Sequence, residues 1–430
     1  MKATNGLWGP TPRLTRPRAP HQHRRVTALR WTVATLFLAG CAHVAEPTTT
    51  PVPLLLGADL HAHLVMRDAA EPIFQGRPGE PGPRASSPDE RNINQLQLDE
   101  LRRAGVKVIV ASVWTPPALT PWRSPLDEAL RQLAALQRWS GRHPEVAIAR
   151  DADEALRLAG HERIVLIPAV ESADGVEHVE DVDRLYAAGA RVLQLVHFAD
   201  DDLAGAAASQ LPKAIFGVRS EATNPHGLTP LGRAVVMRMI ALGMVIDLAH
   251  ASDQTITEVL DLAAPAHVPV MFSHAGARAL SPGERNLSDV LAARIASGGG
   301  IIGVTLSRNF VADVPEPNRF AGLVPGTCDD VVAHWLHFAR IVGPDAVTLG
   351  SDFNGFITRP RPGGSCPDGI RGTQDLPVLW AALVAHGFPT DALDRGGGRF
   401  LEVWKRDEAA ADPAARAQAA RADGEPTQDR

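Results

Sequence analysis

The stretch PLGRAVVMRMIALGMVIDLAHASDQTITEVLDLAAPAHVPVMFSH, residues 230–274, decides the fold. It opens with a helix-like segment, Pro230–Leu242, followed by an apolar run, Met244–Ala249. The same order then repeats with Asp253–Ala263 and Val268–Ser273. Near-continuous apolar runs are typical of parallel strands that are buried on both faces. Helices that alternate with such strands predict an α/β fold built on a parallel sheet.

The same alternation continues in both directions along the chain. Six more apolar runs have the length of strands: Leu54–Leu60, Val106–Val113, Ile164–Val170, Val192–His197, Ile301–Leu306 and Ala346–Gly350. Six more segments are helix-like: Gln95–Ala104, Pro125–Trp139, Val179–Ala188, Ser288–Ala296, Asp329–Val342 and Leu376–His386. Eight βα repeats predict a (β/α)8 TIM barrel rather than an open doubly wound sheet. Insertions at 67–94 and 199–228 follow the first and fourth strands, on the face where barrels carry active sites.

Composition is that of an ordinary globular protein, with 45% hydrophobic and 21% charged residues in a chain of 430. The first 40 residues contain seven basic residues and no acidic ones. Without them the formal net charge falls by seven, from −6 to −13. A nucleic-acid-binding protein needs a basic surface, so the acidic remainder excludes nucleic acid as an expected partner.

The N-terminus has the pattern of an export signal rather than of a folded segment. A basic, Pro-rich flank precedes the short apolar run 31–40, which is too short to be a permanent membrane span. The run ends at Leu38-Ala39-Gly40-Cys41, which resembles a bacterial lipobox. We therefore expect residues 1–41 to be a lipoprotein-type signal peptide. Lipid on Cys41 would anchor the protein to a membrane, facing the periplasm or the cell exterior.

The remaining boundaries follow from composition. Residues 42–53 are Pro- and Thr-rich and form the expected tether, 54–406 the barrel domain, and 407–430 a disordered tail. Two cysteines besides Cys41 are present, Cys328 and Cys366. In an oxidising compartment they could form one disulfide or remain two thiols, and sequence does not decide between these.

Polar, metal-ligating side chains stand at the ends of the predicted strands. His61 and His63 close the first run, two residues apart, so they point to the same side of the strand. Other runs end at or just before the following residues: Glu171, His197, His250, His274 and Asp352. A core does not explain so many charged or titratable residues, because burying them unpaired is costly. Imidazoles and carboxylates together favour a zinc site at the mouth of the barrel.

At these residues the chain resembles the renal (membrane) dipeptidase family, metallopeptidase family M19, and more widely the amidohydrolase-like metal-dependent hydrolases. Four motifs carry the resemblance: GLTPLG at 227–232 with LGMVIDLAHAS at 242–252, VPVMFSH at 268–274, RNLSD at 285–289 and GSDFNG at 350–355. They occur in order within about residues 55–405. The resemblance is strongest in the second half of the chain.

The resemblance implies a ligand set for two zinc ions. Glu171 would bridge them, His61 and His63 would complete one site, and His250 and His274 the other. A hydroxide shared by the two ions would attack the peptide carbonyl of a small dipeptide.

The resemblance also implies roles for the residues around the ligands. Asp352 would move the proton toward the leaving amine, and His197 would stabilise the oxyanion while contacting the substrate. Arg285 would bind the terminal carboxylate of the substrate, and Asn354 would be a further substrate-binding residue. A small peptide is thus the expected substrate, and a homodimer is an assembly compatible with the family.

Two departures from the family pattern bear on specificity. The first strand end reads His-x-His, whereas the family usually has His-x-Asp, so the metal cluster would be one unit more positive. The identity of the metal held by His61 and His63 therefore stays open. A pocket tyrosine is also missing: the chain's single tyrosine is Tyr186, and Phe310 lies near the expected position.

Two other functions compete with the dipeptidase. One is a different amidohydrolase-type reaction on a lactone, cyclic amide or phosphoester, which the His-x-His pair favours. Many such enzymes use a carboxylated lysine at the fourth strand, and here that strand ends at His197. The other is a non-catalytic, anchored binding protein, which the retention of all five ligands and Asp352 disfavours.

Overall fold

The computed structural model describes residues 56–65, 95–114, 120, 122–161, 163–207, 227–312, 326–355 and 369–421. The predicted signal peptide, tether and Cys41 lie outside these residues. Cys366 lies outside them too, so the structure does not decide between a disulfide with Cys328 and two thiols. Within the described ranges the chain forms one sheet of nine parallel strands. These are β1 Gly57–Ala62, β2 Val106–Val113, β3 Val146–Ile148, β4 Ile164–Val170, β5 Val192–Gln194, β6 Val245–Asp247, β7 Met271–Ala275, β8 Ile301–Thr305 and β9 Val347–Gly350.

Eight of the strands close into a barrel. The sheet order is β2-β1-β9-β8-β7-β6-β5-β4-β3, and β2 also pairs with β4, from Val108 opposite Val165 to Val113 opposite Val170. That pairing joins the two ends of the sheet and confirms the predicted (β/α)8 barrel.

The short strand β3 is the additional one. It pairs with the first half of β4, from Val146 opposite Ile164 to Ile148 opposite Leu166. The second half of β4 pairs with β5 instead. The sequence pattern does not predict β3, because three residues are too few to show a periodicity.

Helices surround the barrel, and most of the predicted ones are present within one or two residues. They are α1 Leu98–Arg103, α2 Pro125–Ser140, α3 Ala152–Gly160, α4 Glu180–Ala187, α5 Pro230–Leu242, α6 Asp253–Ala263, α7 Asp289–Ser297, α8 Arg308–Val311, α9 Cys328–Val342, α10 Leu376–Ala385, α11 Thr390–Ala410 and α12 Pro413–Ala419. Three short 3₁₀ turns lie at Ala264–Ala266, Pro344–Ala346 and Thr373–Asp375. The sequence pattern does not predict α3, α8, α11 or α12.

The motif at 227–232 has a structural explanation. Thr229 is the N-cap of α5, its hydroxyl accepting from Gly232 N at 3.0 Å, and Pro230 takes the first helical position. Gly232 is needed because a Cβ there would lie 1.9 Å from the carbonyl oxygen of Leu203. The motif therefore packs the start of α5 against the loop that follows β5.

The long helix α11 covers the bottom of the barrel, away from the strand ends that carry the polar residues. Phe400 and Trp404 pack with the inward-facing Leu60, Val110 and Ile167 in one buried cluster. Three consecutive glycines, 396–398, lie inside this helix. Close packing against the barrel keeps the chain helical here in spite of their weak helix propensity.

The predicted boundary at 406 is also corrected. Asp407 to Ala410 complete α11, and α12 follows it. Ala415 and Ala419 of α12 are buried in the main core, so the chain from 407 to 421 belongs to the folded domain. Small alanines give little apolar periodicity, and for that reason the sequence pattern does not show this helix.

Among the described residues no single helix has both the length and the apolar composition to cross a membrane. Two consecutive helical segments, 373–385 and 390–410, have that length and composition only when taken together, and the chain bends by 119° between them.

Candidate metal centre

The first strand brings two histidines to the C-terminal mouth of the barrel. His61 and His63 are each 1% exposed, and their Nε2 atoms are 3.2 Å apart. The backbone N–H of His63 donates to the carbonyl of Phe353 at 2.9 Å, just beyond the end of β9. On the other side of the pair, Nδ1 of His61 lies 3.2 Å from the hydroxyl of Ser112 on β2. Neighbouring strands thus fix this pair from both sides.

Glu171, directly after β4, lies between two pairs of histidines. Its Oε2 is 3.5 Å from His61 Nε2 and 3.2 Å from His63 Nε2. Its Oε1 is 3.5 Å from His250 Nε2 and 3.9 Å from His274 Nε2. Each oxygen of one buried carboxylate therefore faces a separate pair of imidazole nitrogens, which is the arrangement that a carboxylate bridging two metal ions requires.

The second pair of histidines comes from β6 and β7. The Nε2 atoms of His250 and His274 are 2.9 Å apart, and both side chains are buried. His197, after β5, lies beside them with Nε2 3.3 Å from Glu171 Oε1. Its ring packs against Trp114, with 4.2 Å between the centroids. The fold thus gathers the four predicted histidine ligands and His197 around the carboxylate of Glu171, the fifth predicted ligand.

The donor set and its spacing fit zinc. Two nitrogens that bind one tetrahedral Zn²⁺ at 2.0–2.1 Å lie about 3.3 Å apart. The observed separations are 3.2 Å for His61 and His63 and 2.9 Å for His250 and His274. Three overlapping triplets have all their donor atoms within 4.8 Å: His61 with His63 and Asp352, His61 with Glu171 and His274, and Glu171 with His197 and His250.

Burial and nearby charges shift the pKa values of the predicted histidine ligands in different directions. Burial lowers the pKa of His250 and of His274 well below the usual value, and the nearby Arg285 adds to this effect. Burial also acts to lower the pKa of His63, but Asp352 and Glu171 outweigh it and raise that pKa to about 9. His250 and His274 are therefore neutral and ready to bind a cation at pH 7. At His63 a metal would displace a proton.

The carboxylate at the centre stays ionised. Burial acts to raise the pKa of Glu171, but the surrounding histidines, His61 and His197 foremost, outweigh it and hold that pKa well below its usual range. A buried, ionised carboxylate surrounded by imidazole nitrogens is a favourable site for a divalent cation, because the cation would neutralise its charge.

Asp352 follows β9 and faces the first histidine pair. Its Oδ1 is 3.6 Å from His63 Nε2, and its side chain is 14% exposed, more than any ligand. Gly355 makes this approach feasible, since a Cβ there would lie 1.9 Å from Asp352 Oδ1 and 2.9 Å from His63 Cδ2. Asp352 is thus the carboxylate at the site with the most access to an incoming molecule.

Asn354 contacts the backbone rather than the histidine rings. Its Nδ2 donates to the carbonyl of His63 at 3.0 Å, and its Oδ1 accepts from Gln95 N at 2.9 Å. Gln95 Oε1 in turn accepts from Asn354 N at 2.8 Å. These contacts favour a role in positioning the strand end that carries His63, and the substrate contact of Asn354 stays a prediction.

Arg285 lies against the second histidine pair. Its Nη1 donates to the carbonyl of His274, and its Nη2 is 3.0 Å from His250 Nε2. The guanidinium carbon lies 4.7 Å from the ring centroid of Phe310, within the range of a cation–π contact. The guanidinium is therefore held beside the metal-ligating atoms.

Backbone strain concentrates at these residues. Of the five non-glycine residues with positive φ among those described, four are Ser172, His250, Asp352 and Asn354, with φ from 58° to 73°. L-residues adopt this conformation at a cost, and it persists where the surrounding structure imposes it. The strand ends are thus bent to aim the side chains inward.

A cavity opens beside Glu171, on the side of β2. Its apolar wall comes from β2, α2 and β4, through Val113, Trp114, Pro125, Ala129 and Val170. Glu128 and Asp174 add carboxylates to the lining. The cavity is small, and its lining combines apolar side chains with three carboxylates, including that of the predicted bridging ligand Glu171.

Several residues that support the site are not predicted from the sequence. Asp59 accepts from Ser351 N at 2.8 Å, and Asp247 accepts from Ser273 N at 2.9 Å, so each ties two strand ends together. The sequence signal for them is an Asp-Leu pair shortly before a strand-end histidine, at 59–60 and at 247–248. Ser112 and Ser273 carry no such signal, since buried serines are ordinary in strands.

Comparison with known proteins identifies the family. The family described as membrane dipeptidase (peptidase family M19) matches residues 59–418. The chain belongs to this family.

Curated relatives of the membrane dipeptidase family are similar over part of their length. An uncharacterized dipeptidase, C965.12, of Schizosaccharomyces pombe is 32% identical over 61% of this chain and 57% of its own length. Dipeptidase 3 of Mus musculus is 28% identical over 73% of this chain and 58% of its own length. The chain spans somewhat more than half the length of these relatives.

Solved structures share the fold. The probable dipeptidase PvdM from Pseudomonas aeruginosa aligns with a TM-score of 0.65 at 21% identity, over 83% of this chain and 96% of that one. A metallopeptidase from Rhodobacter sphaeroides, liganded with a phosphinate mimic of the dipeptide L-Ala-D-Ala, aligns with a TM-score of 0.62 at 21% identity, over 82% and 99%.

The first strand end carries the residue that departs from the pattern expected from the sequence resemblance. His63 stands where the sequence resemblance leads one to expect an aspartate, and it contacts both Glu171 and Asp352. The imidazole of His63 therefore faces the carboxylates of Glu171 and Asp352. An aspartate at this position would place a third negative charge beside them. The cluster gains a neutral ligand without losing its contact to Glu171.

Proposed function

We propose that this protein is a zinc-dependent dipeptidase that hydrolyses the peptide bond of small dipeptides at a two-metal centre. The observation that supports this most strongly is Glu171, each of whose oxygens faces its own pair of histidine Nε2 atoms. When bound, a metal pair supplies Lewis-acid activation of water and of the scissile carbonyl.

The chain's own residues would orient the substrate and handle its charges. Arg285 would bind the terminal carboxylate through its guanidinium fork. His197, with Nε2 3.3 Å from Glu171 Oε1, would donate a hydrogen bond to the carbonyl oxygen as negative charge develops there. Asp352 would hold the proton at Oδ1 and deliver it to the leaving amine.

The proposed substrate class rests on the guanidinium of Arg285, a fixed cation beside Glu171 and the histidines. A free carboxylate on Arg285 would place the peptide bond near Glu171. The Rhodobacter sphaeroides metallopeptidase was solved with a mimic of L-Ala-D-Ala, and its shared fold makes L-D dipeptides candidates beside L-L ones.

A panel of L-L and L-D dipeptides tests the proposal. We expect chelator-sensitive cleavage of some of them by zinc-loaded protein, and recovery of activity when zinc is returned. Zinc-loaded protein that leaves every dipeptide intact would instead favour the amidohydrolase-type reaction on a lactone, cyclic amide or phosphoester. The His61–His63 pair is the observation that keeps this second candidate open.

Arg285→Ala tests the role of the guanidinium. Wild type should prefer a dipeptide over its C-terminal amide by about 10-fold or more, because a charge-assisted hydrogen bond contributes about 1.5–3 kcal/mol. The variant should lose that preference, mainly through a higher KM for the free acid. The preference is the ratio of kcat/KM for the free acid to kcat/KM for the amide, measured on one enzyme. General damage to the site lowers both values and leaves their ratio unchanged. An unchanged preference would remove Arg285 from substrate binding.

We further propose that the protein is an exported lipoprotein anchored through Cys41. The basic flank, the apolar run 31–40 and the LAGC sequence follow one another in the order of a lipoprotein signal peptide, which supports this proposal. Metabolic labelling with a radioactive fatty acid should mark the wild type, and Cys41→Ser should abolish the label. Equal labelling of both would contradict the anchor.

A further inference from the structure

One hydroxyl lies between the two histidine pairs. Ser273, on β7, is fully buried, and its Oγ is 2.8 Å from Nδ1 of His274 and 3.4 Å from Nδ1 of His61. The rings of His61 and His274 lie against each other, with centroids 4.0 Å apart. A single side chain thus touches one predicted ligand of each metal, on the side of the ring away from the metal.

The chemistry of imidazole gives this contact a direction. A neutral histidine that binds metal through Nε2 carries its proton on Nδ1, and the partner of that N–H fixes the tautomer and the ring orientation. A hydroxyl oxygen has two lone pairs and can accept two hydrogen bonds. Ser273 Oγ can therefore accept from His61 and His274 together.

The other two histidines lack this support. Within the part of the chain that the structure describes, the buried Nδ1 atoms of His63 and His250 have no hydrogen-bond partner. Each pair thus contains one ring whose Nδ1 contacts the hydroxyl of Ser273 and one ring whose Nδ1 has no such contact. The single Nδ1–H of His61 faces two hydroxyls, Ser112 at 3.2 Å and Ser273 at 3.4 Å, whereas Nδ1 of His274 faces Ser273. Ser273 is therefore the hydroxyl that both pairs share.

The position of Ser273 is itself fixed. Its N–H donates to Oδ1 of Asp247 at 2.9 Å, and the same oxygen accepts from Ala249 N at 3.0 Å. The carbonyl oxygen of Ser273 packs closely against Gly303 and Gly350, since a Cβ on either glycine would lie within 2 Å of it. A hydroxyl on so constrained a backbone can hold two rings without moving.

We propose that Ser273 is a shared positioning residue that orients one ligand of each metal and so links the affinities of the two sites. This rests on the two-metal function proposed above. Partners behind metal ligands typically change metal affinity by about 10–100-fold when removed. Loss of Ser273 should therefore weaken both sites, whereas loss of Ser112 should weaken only the site that contains His61.

The test is zinc binding by the full chain in competition with a fluorescent chelator, resolved into two affinities. Ser273→Ala is compared with Ser112→Ala, a matched control in which the same atom is removed from another buried strand serine. We expect about a 10-fold or larger loss at both sites for Ser273→Ala and at one site for Ser112→Ala. Visible spectra of the cobalt-loaded proteins should show the same two-site and one-site changes.

A second variant separates the hydroxyl from packing. Ser273→Thr keeps the oxygen, and both its affinities should stay within a few-fold of wild type. A loss as large as that of Ser273→Ala would assign the effect to packing and overturn the proposal. So would a Ser273→Ala variant that binds two zinc ions like wild type or loses affinity at one site only. Wild type that binds fewer than two ions would contradict the two-metal function itself, and the shared role with it.

Discussion

At the residue scale the site depends on Glu171, whose two oxygens divide the histidines into two pairs. Its buried charge is stabilised by imidazoles alone, since no lysine or arginine ion pair with it occurs among the described residues. A buried anion surrounded by neutral or titrating ligands is stabilised further by bound cations. The carboxylate and the metals should therefore depend on each other.

Glu171→Gln tests this dependence. The amide keeps the shape but removes the charge and one oxygen donor, so zinc affinity should fall by more than the roughly 10–100-fold typical of residues behind the ligands. Dipeptide hydrolysis should fall with it. Glu128→Gln is the control, because Glu128 is equally buried beside the same cavity but pairs with Arg131. Zinc titration of both variants checks the prediction, and equal losses would contradict it.

Gly355→Ala tests the placement of Asp352. The added methyl would overlap Asp352 Oδ1 and contact His63, so the carboxylate must move. We expect kcat to fall by about 100-fold, as for loss of a general acid or base, with little change in thermal midpoint. Full activity in a folded variant would show that Asp352 need not stand where it does.

The sequence predicts the candidate metal ligands and their charged neighbours, but not the residues that hold them in position. His61, His63, Glu171, His250 and His274 are recognisable because titratable groups at apolar strand ends are costly to bury without a purpose. Ser273 is not recognisable, since its role arises from the distance between two strands that only the closed barrel brings together. The hydrogen bond between Asn354 and Gln95 shows the same limit, because the two residues lie 259 residues apart in the chain.

At the element scale the instructive case is α11. Its sequence contains three consecutive glycines, which argue against a helix by propensity alone. The structure gives two of them a reason: a Cβ on Gly396 would lie 2.5 Å from Thr348 Oγ1, and one on Gly397 would lie 2.8 Å from the carbonyl of Leu56. Tertiary packing thus decides an element that local sequence does not predict.

Alanine substitution within this helix separates packing from propensity. Gly397→Ala should destabilise the protein by about 1–3 kcal/mol, because the new methyl meets backbone that cannot yield. Gly398→Ala should stabilise it by up to about 1 kcal/mol, since its Cβ would meet only Leu56 Cδ2, at 3.8 Å. Denaturant titrations of both variants measure these effects, and shifts of the same sign would contradict the account.

At the scale of the whole molecule the barrel follows from the pattern of alternating strands and helices. Eight apolar runs in order predict eight barrel strands, because an alternation of strand and helix repeated eight times is typical of the closed (β/α)8 barrel. The C-terminal boundary was not predictable in the same way. The helices beyond 406 contribute alanines and one buried aspartate to the core, and neither produces a recognisable apolar stripe.

That aspartate gives the molecule a pH-dependent stability. Asp407 is 1% exposed, and neither of its oxygens has a hydrogen-bond partner among the described residues. Burial raises the pKa of Asp407 well above its usual value, although Arg406 opposes this and Glu408 adds to it. A carboxyl whose pKa is raised by folding contributes stability at low pH that is lost as pH rises through the folded-state pKa.

Asp407→Leu should remove this dependence. At pH 8 the variant should unfold at a higher temperature than wild type, by several degrees, because about 1–3 kcal/mol of unsatisfied burial disappears. The difference should shrink as pH is lowered to 5. Thermal melts at the two pH values measure it, and a variant that is less stable at both would contradict the prediction.

The central claim is that Glu171 separates two metal ions, one at each histidine pair. Anomalous diffraction from zinc-loaded crystals, recorded at the zinc absorption edge, tests it most directly. The account predicts two peaks, one between Glu171 Oε2 and the His61–His63 pair and one between Glu171 Oε1 and the His250–His274 pair. A single peak, or none beside Glu171, would contradict it.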